Sequence, residues 1–243
     1  MQYLDSGWQS LVDGLRRVAE AHGARILERA AVTAIDAGER VRGLRFEDGS
    51  LHCADAVLLA VPPAAAAALD TACRTPLHRW AETAVPVRAA CLDLALASLP
   101  RPRMTFALGI DEPVYFSVHS ASARLAPRGA ALVHAAEYLD GETGSEARLT
   151  RLMDRLQPDW RHRVVLQRYL PSMTVTSALP LASQGGLSGR PGSAVPGFAG
   201  LYVAGDWVGP EGLLADASLA SARQAVHALL AEPRAMRRMA QAT

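Results

Sequence analysis

Leu201-Tyr202-Val203-Ala204-Gly205-Asp206-Trp207-Val208-Gly209-Pro210-Glu211-Gly212, followed by Leu213-Leu214-Ala215-Asp216-Ala217-Ser218-Leu219-Ala220-Ser221-Ala222, is the stretch on which the reading of this chain turns. Its first residues form the apolar run of a short buried strand. Gly205-Asp206 then makes a tight acidic turn, and Gly209 and Gly212 make a Gly-rich bend. A helix follows whose first turn carries small residues, which lets a backbone come close to a large flat group. The matching front end, a Gly-x-Gly-x-x-Gly turn that would hold a dinucleotide, is absent from the 243 residues.

A chain of this length suffices for one large domain or two small ones with a proper core. Half the residues are hydrophobic and a fifth are charged, an ordinary globular composition. The net charge of +1 leaves no electrostatic footprint for nucleic acid. Every basic residue is Arg; with no Lys in the chain, Schiff-base and Lys-general-base mechanisms are excluded. Cys53, Cys73 and Cys91 are odd in number and form no Cys-x-x-Cys pair, so neither a disulfide framework nor a zinc site is expected. The N-terminus has no basic region followed by an apolar run, so no signal peptide is expected. The most apolar stretch, 56–69, is too short to span a bilayer and is broken by Pro62-Pro63. These features together lead to the expectation of a cytoplasmic protein. The seven His show neither His-Glu-x-x-His spacing nor a triad.

Outward from the decisive stretch, Ser6 and Gln9 have capping-box spacing ahead of a helix with Trp8, Leu11, Val12, Leu15 and Val18 on one face. Gly23 suits its C-terminal stop. Strands are expected at 24–27, 31–35, 41–46 and 51–53, the last two flanking a Glu47-Asp48-Gly49 hairpin turn. A buried strand is expected over 55–61, ended by Pro62-Pro63. A helix from Pro62 has proline at its first positions. Strands follow at 87–96, 104–108, 114–118 and 131–138, then an amphipathic helix at 142–156 and a strand at 164–170. The Gly-, Pro-, Ser- and Ala-rich segment 179–200 reads as a loop packed around a site.

Residues 201–222 resemble the C-terminal flavin motif of the FAD-dependent amine oxidase and phytoene desaturase superfamily. The front end agrees. Residues 3–15 resemble the aromatic-x-x-x-Gly-x-x-x-Leu segment that opens the middle of such proteins, and 31–35 the strand whose backbone reaches the adenine. Asp48-Gly49 and Asp55-Ala-Val-Leu-Leu-Ala-Val-Pro-Pro63 resemble the stretch that leads into the substrate domain. The resemblance implies an α+β (α/β) chain: an incomplete FAD-binding layer of glutathione-reductase-like type, lacking the N-terminal dinucleotide-binding segment, plus a substrate domain with a mostly antiparallel sheet and helices. On this reading residues 1–61 are the middle of the FAD domain and 62–178 the substrate domain. Residues 179–243 are the flavin-contacting loop with the C-terminal strand and helix.

The resemblance implies FAD as cofactor, with Val32, Gly205, Asp206, Trp207, Gly212, Leu213, Leu214 and Ala215 in contact with it. Asp206 carries the role of acceptor beside the ribityl and pyrophosphate region; read alone, it could equally close the strand as an Asx-turn. Backbone donors at the helix opening would face the flavin pyrimidine ring, where charge builds up on reduction. Trp207 could flank the flavin, line a tunnel, or simply pack in the core. Arg190 reads as a solvated loop residue sooner than as a ligand for an anion. Glu211, Asp216 and Asp206 do not share a face, so no metal site is expected. Tyr115, Tyr138 and Tyr169 fall on substrate-domain strands. Arg234, Arg237 and Arg238 make a basic tail read as a solvated helix end, with membrane-surface contact the lesser reading. No catalytic side chain is assigned.

The function implied is hydride transfer from a substrate C–H bond to flavin, amine-oxidase-like or desaturase-like. The substrate would be small and either an amine or apolar. The lack of Lys favours the desaturase branch, because a Lys-bound water beside the flavin is unavailable. The rival is a non-enzymatic partner subunit or degenerate fragment that docks on a separate dinucleotide-binding chain.

Overall fold

A computed structural model describes residues 3–141 and 143–232. The basic tail lies outside the described residues. Two compact units divide the chain. One comprises the residues up to Ile26 together with Val87–Val175; the other comprises Leu27–Pro86 together with the residues from Thr176 onward. The sequence-based boundaries lie at 61/62 and 178/179.

In the first unit, α1 (Trp8–Ala21) comes before the unit's sheet. The expected capping box does not form. Ser6 has φ 66° and Gly7 is the N-cap, with no side-chain cap bond. The N–H of Ser6 donates to Arg124 O and the Asp5 carboxylate accepts from Arg124, which pins Ser6 one position too early to cap. The far end forms as expected. Gly23 has φ 87°, its N–H donates to Glu20 O, and Ala24 N–H donates to Ala19 O, a Schellman stop. That bond uses the donor of Ala24, and the strand expected at 24–27 is absent. No residue of α1 is buried: its apolar stripe is uncovered, with Trp8 and Val18 each 59% exposed.

The second unit contributes the next elements in chain order: β1 (Val32–Ala37), β2 (Val41–Phe46), β3 (Leu51–Cys53), β4 (Val57–Leu59), α2 (Pro63–Leu69) and α3 (Leu77–Thr83). The first unit resumes with β5 (Val87–Leu96), β6 (Phe106–Leu108), β7 (Val114–Val118), β8 (Ala131–Leu139), α4 (Glu146–Leu156) and β9 (Val164–Thr176). The chain ends with β10 (Leu201–Val203) and α5 (Leu214–Ala231) in the second unit.

The first unit's sheet has the order β6-β7-β8-β5-β9, antiparallel across β6–β7, β7–β8 and β8–β5. Side chains alternate between its faces. Leu92, Leu94, Phe116, Val133 and Ala135 are buried on one face, where α4 adds Leu149, Leu152 and Met153 at helical spacing. The fully buried Gln157 closes this core. Its Oε1 accepts from Arg101 N at 2.8 Å and its Nε2 donates to Met104 O at 2.8 Å. The opposite face is polar. Asp93 and His134 are cross-strand partners, His134 Nδ1 donating to Asp93 Oδ1 at 2.6 Å, and Arg168 Nη2 donates to Asp93 Oδ2 at 2.6 Å. His119 stacks on His134 with ring centroids 3.9 Å apart. Burial, with the neighbouring His134, pushes His119 down to about 4 against the opposing charge of Asp93.

The second unit has an antiparallel β1-β2-β3 sheet and a separate parallel pair, β4 with β10. Helices α2, α3 and α5 belong to it. Val41, Leu59, Leu77, Leu201, Val203 and Trp207 lie in its core. The end of α5 is clamped by Glu232. Oε1 accepts from Tyr202 OH at 2.7 Å and Gly200 N at 3.2 Å, and Oε2 accepts from Arg40 Nη2 at 3.3 Å. Burial pushes the Glu232 carboxyl up, but these donors outweigh it and hold the group below its ordinary 4.5. A lowered folded pKa means stability present above the ordinary value and lost as pH falls through the folded one. Glu232→Gln is therefore expected to flatten the fall in stability below about pH 5. Urea unfolding from pH 6 to 3 checks it, and parallel curves for the two proteins would refute the clamp.

Among the described residues no helix is long and apolar enough to cross a membrane.

Candidate functional site

The site starts where β10 ends. Gly205 N–H donates to Ser221 Oγ at 3.0 Å, and the same hydroxyl lies 3.1 Å from Gly205 O, so the turn is fastened to the buried face of α5. Asp206 follows directly. Its Oδ2 accepts from Thr176 Oγ1 at 2.7 Å and Ser177 N at 2.8 Å, which leaves Oδ1 with no protein donor among the described residues. Trp207 is 2% exposed. Its Nε1 donates to Val61 O at 3.1 Å and its ring sits 6.0 Å from that of Trp80.

The bend comes next. Gly209 N–H donates to Pro191 O at 2.8 Å. Gly212 has φ 72°, and a Cβ there would lie 2.8 Å from Asp216 Cβ and 3.1 Å from Ala217 N. Helix α5 begins at Leu214, two residues beyond Gly212, with Leu213 as N-cap and no side-chain cap. Leu214 has φ 52°, an unusual backbone for a bulky residue, and its side chain is half exposed. Such outliers gather at functional sites. Among the described residues no backbone carbonyl accepts from the N–H groups of Leu213, Leu214 or Ala215. Three amide N–H groups without a backbone acceptor at a helix start form a donor cluster suited to an electron-rich group.

Beside this bend is a cavity of about 400 Å³ whose wall includes Trp80, Thr83, Gln184, Gly189, Arg190 and Trp207. The loop that shapes it is fastened at two points. Gln184 Nε2 donates to Thr83 O at 2.9 Å. Arg190 Nη1 donates to Gly212 O at 3.0 Å, joining cavity wall to bend. The loop closes on itself so tightly that a Cβ on Gly189 would lie 1.6 Å from Gln184 O. Arg190, read from sequence as solvated, is part-buried, and its Nε has no partner among the described residues. Burial pushes its guanidinium below the ordinary value, and the charge of Asp206 opposes this.

The residues from Gly205 to Ala215 named from sequence share this one bend. Val32 opens β1, opposite Phe46, in the same unit; a second cavity of about 370 Å³ beside it is lined by Ala31, Phe46, Glu47 and Ser50. Gln184 opens the Gly-rich segment that runs to Arg190, which the sequence reads as a bend around the flavin ring; Thr176, Ser177 and Trp80 do not stand out in the sequence reading. Trp80 carries a local signal, three residues after Leu77 and beside Ala81, the spacing of a buried helix face. Thr176 and Ser177 act through long-range contacts with no local mark. No group of three or more His, Cys, Asp or Glu among the described residues is placed to hold a metal ion.

The family model described as FAD dependent oxidoreductase matches residues 2–218. Among solved structures, an oxidoreductase from Methanosarcina mazei is similar with a TM-score of 0.69 and 20% identity, over 92% of this chain and 55% of that one. A putative protoporphyrinogen oxidase from Exiguobacterium sp. 255-15 gives 0.63 and 18%, over 95% of this chain and 52% of that one. A putrescine oxidase with redesigned cofactor binding gives 0.68 and 15%, over 93% and 53%. The chain thus spans about half the length of the solved structures it matches, and at these identities the likeness is one of fold. No curated protein matches it.

Proposed function

This chain belongs to the FAD dependent oxidoreductase family, and from that premise we propose that its second unit holds the flavin end of FAD at the Gly205–Ala215 bend, for hydride transfer from a substrate C–H bond. The observation that carries this reading is the trio of unpaired amides at Leu213, Leu214 and Ala215 on a bend tied by Arg190 to the cavity wall. The residues present fit the group. The cavity volume lies in the range of small-molecule sites, its wall carries two indole rings, and the buried Nε of Arg190 has a donor to spare.

When bound, the cofactor supplies the hydride acceptor. The amides of the bend would donate to acceptor atoms of the cofactor, and their dipoles would favour electron density there. Asp206 Oδ1 would accept from a hydroxyl of the cofactor, with Oδ2 anchored on Thr176 and Ser177. Trp207 and Trp80 exclude water from the cavity wall. A desaturase-like reaction on a small apolar substrate is preferred to amine oxidation, since the chain has no Lys to hold a water beside the ring. The test is an absorbance spectrum of the purified chain after incubation with FAD and desalting. Retained flavin bands are expected; a colourless protein counts against a cofactor site formed by this chain itself.

A second reading is favoured by the uncovered stripe on α1: the chain docks on a separate dinucleotide-binding polypeptide. Co-expression with such a polypeptide, followed by co-purification that fails when Trp8 and Val18 become Ser, is its expected outcome.

A further inference from the structure

Strand β6 is the outer strand of the five-stranded sheet, and among the described residues no strand pairs with its far side. Val118 N–H donates to Thr105 O, and Gly109 N–H donates to Val114 O. Bonding residues alternate along an antiparallel pair. Thr105, Ala107 and Gly109 therefore face β7, and the N–H and C=O groups of Phe106 and Leu108 face outward. The side chains along this edge are apolar: Phe106 and Leu108 are exposed, and Ile110 is 99% exposed. An exposed apolar edge is a template for a further strand, and proteins usually blunt it with a charge or a proline. The opposite edge, β9, carries Arg168 and Pro171. Strand β6 carries neither kind of residue.

The charges beside β6 are placed symmetrically. Arg103 stands four residues before Ala107, the middle of the strand, and Asp111 four residues after it. Both are exposed. Glu112 is paired with Arg155 at 3.5 Å, whereas neither Arg103 nor Asp111 has an ion pair among the described residues. A second copy lying antiparallel across a two-fold axis at Ala107 brings Arg103 of each copy to Asp111 of the other. The same register sets Phe106 opposite Leu108 of the second copy. These are the residues whose backbone groups face outward, so each such pair can exchange both its bonds. A parallel arrangement in register would set Arg103 beside Arg103 and Asp111 beside Asp111, which is unfavourable.

We propose that β6 is a self-association edge, through which two copies of this chain pair antiparallel about Ala107 into one continuous sheet. The surface lies wholly on the first unit and owes nothing to the cofactor reading. Both copies use the same strand, so the contact closes and stops at two chains.

Sedimentation velocity of the full chain from about 1 to 100 μM reads the association, and a dimer is expected within that range. Arg103→Glu or Asp111→Arg alone places like charges together at both ends of the contact and should weaken the dimer about tenfold. The two substitutions together should return it to within about threefold of the parent. Leu108→Lys, at an exposed side chain, should weaken it about a hundredfold with little change in melting temperature. In a chain with Cys53 and Cys73 changed to Ser, Ala107→Cys should give a disulfide-linked dimer on mild oxidation, because the two Cα atoms at the axis would lie about 4.5 Å apart. Thr105→Cys, away from the axis, should not link. A chain that stays monomeric throughout the range overturns the proposal, as does an open-ended assembly. A dimer unaffected by Arg103→Glu and by Leu108→Lys overturns it as well. A dimer lost instead on Trp8→Ser belongs to the stripe of α1 and also overturns it. A Thr105 variant that links as readily as the Ala107 variant overturns the register.

Discussion

Gly212→Ala is expected to lower the affinity for FAD about a hundredfold and to lower the melting temperature of the second unit. Two costs add at this position. The backbone is left-handed at φ 72°, which any residue with a Cβ adopts at a cost of about 1 kcal/mol. The new Cβ would also sit 2.8 Å from Asp216 Cβ and 3.1 Å from Ala217 N. Those atoms belong to the first turn of α5 and cannot swing aside as a flexible side chain would. Either the turn moves or the bend opens, and both displace the amides of Leu213, Leu214 and Ala215 and the carbonyl that Arg190 grips. A loss of about 2.7 kcal/mol of binding is a factor of about a hundred. Gly38→Ala is the control, because a Cβ there meets nothing within 4 Å. Equal flavin titrations for the Gly212 and Gly38 variants would show that the bend does not hold the cofactor.

Asp206→Ala should be the most destabilising change in the site. It removes the acceptor from Ser177 N–H and from the Thr176 hydroxyl at once. Hydrogen bonds to a charged acceptor contribute about 1.5–3 kcal/mol each, so about 3 kcal/mol or more is lost. For a chain of this size that corresponds to a fall of roughly 6–12 °C in Tm. Asp206→Asn keeps one acceptor oxygen and should lose about a third as much. Differential scanning calorimetry distinguishes the cases. An Ala variant melting within 2 °C of the parent would mean that the carboxylate does not anchor the segment before it.

The regular parts of the fold were legible because their signals are local. Strands β2, β5 and β7 run over the residues expected from alternation alone, and both partners of the β2–β3 hairpin were bounded by the Asp48-Gly49 turn. Strand β9 is longer than expected because Pro171 reads as a stop. It lies on the edge of its sheet, where a missing N–H costs little. Helix α3 escaped notice: seven residues, among them only Leu77, Trp80 and Ala81 as apolar members, make too short a repeat to stand out. The bend was legible through its glycines and its acidic turn. What fastens it was not, since Thr176, Ser177 and Arg190 reach Asp206 and Gly212 from far along the chain.

The parallel pairing of β4 with β10 sets the order in which the protein can assemble. One strand of the pair leaves the ribosome well before the other. The five-stranded sheet lies between them in sequence, its strands following one another within residues 87–176, and it can condense while Leu59 still has no partner. Closing so long a loop precedes any gain from the pairing, which makes this step slow. The nascent chain therefore passes through a stage in which one unit is built and the other waits, with Val57 and Leu59 exposed to chaperones until Leu201–Val203 arrives.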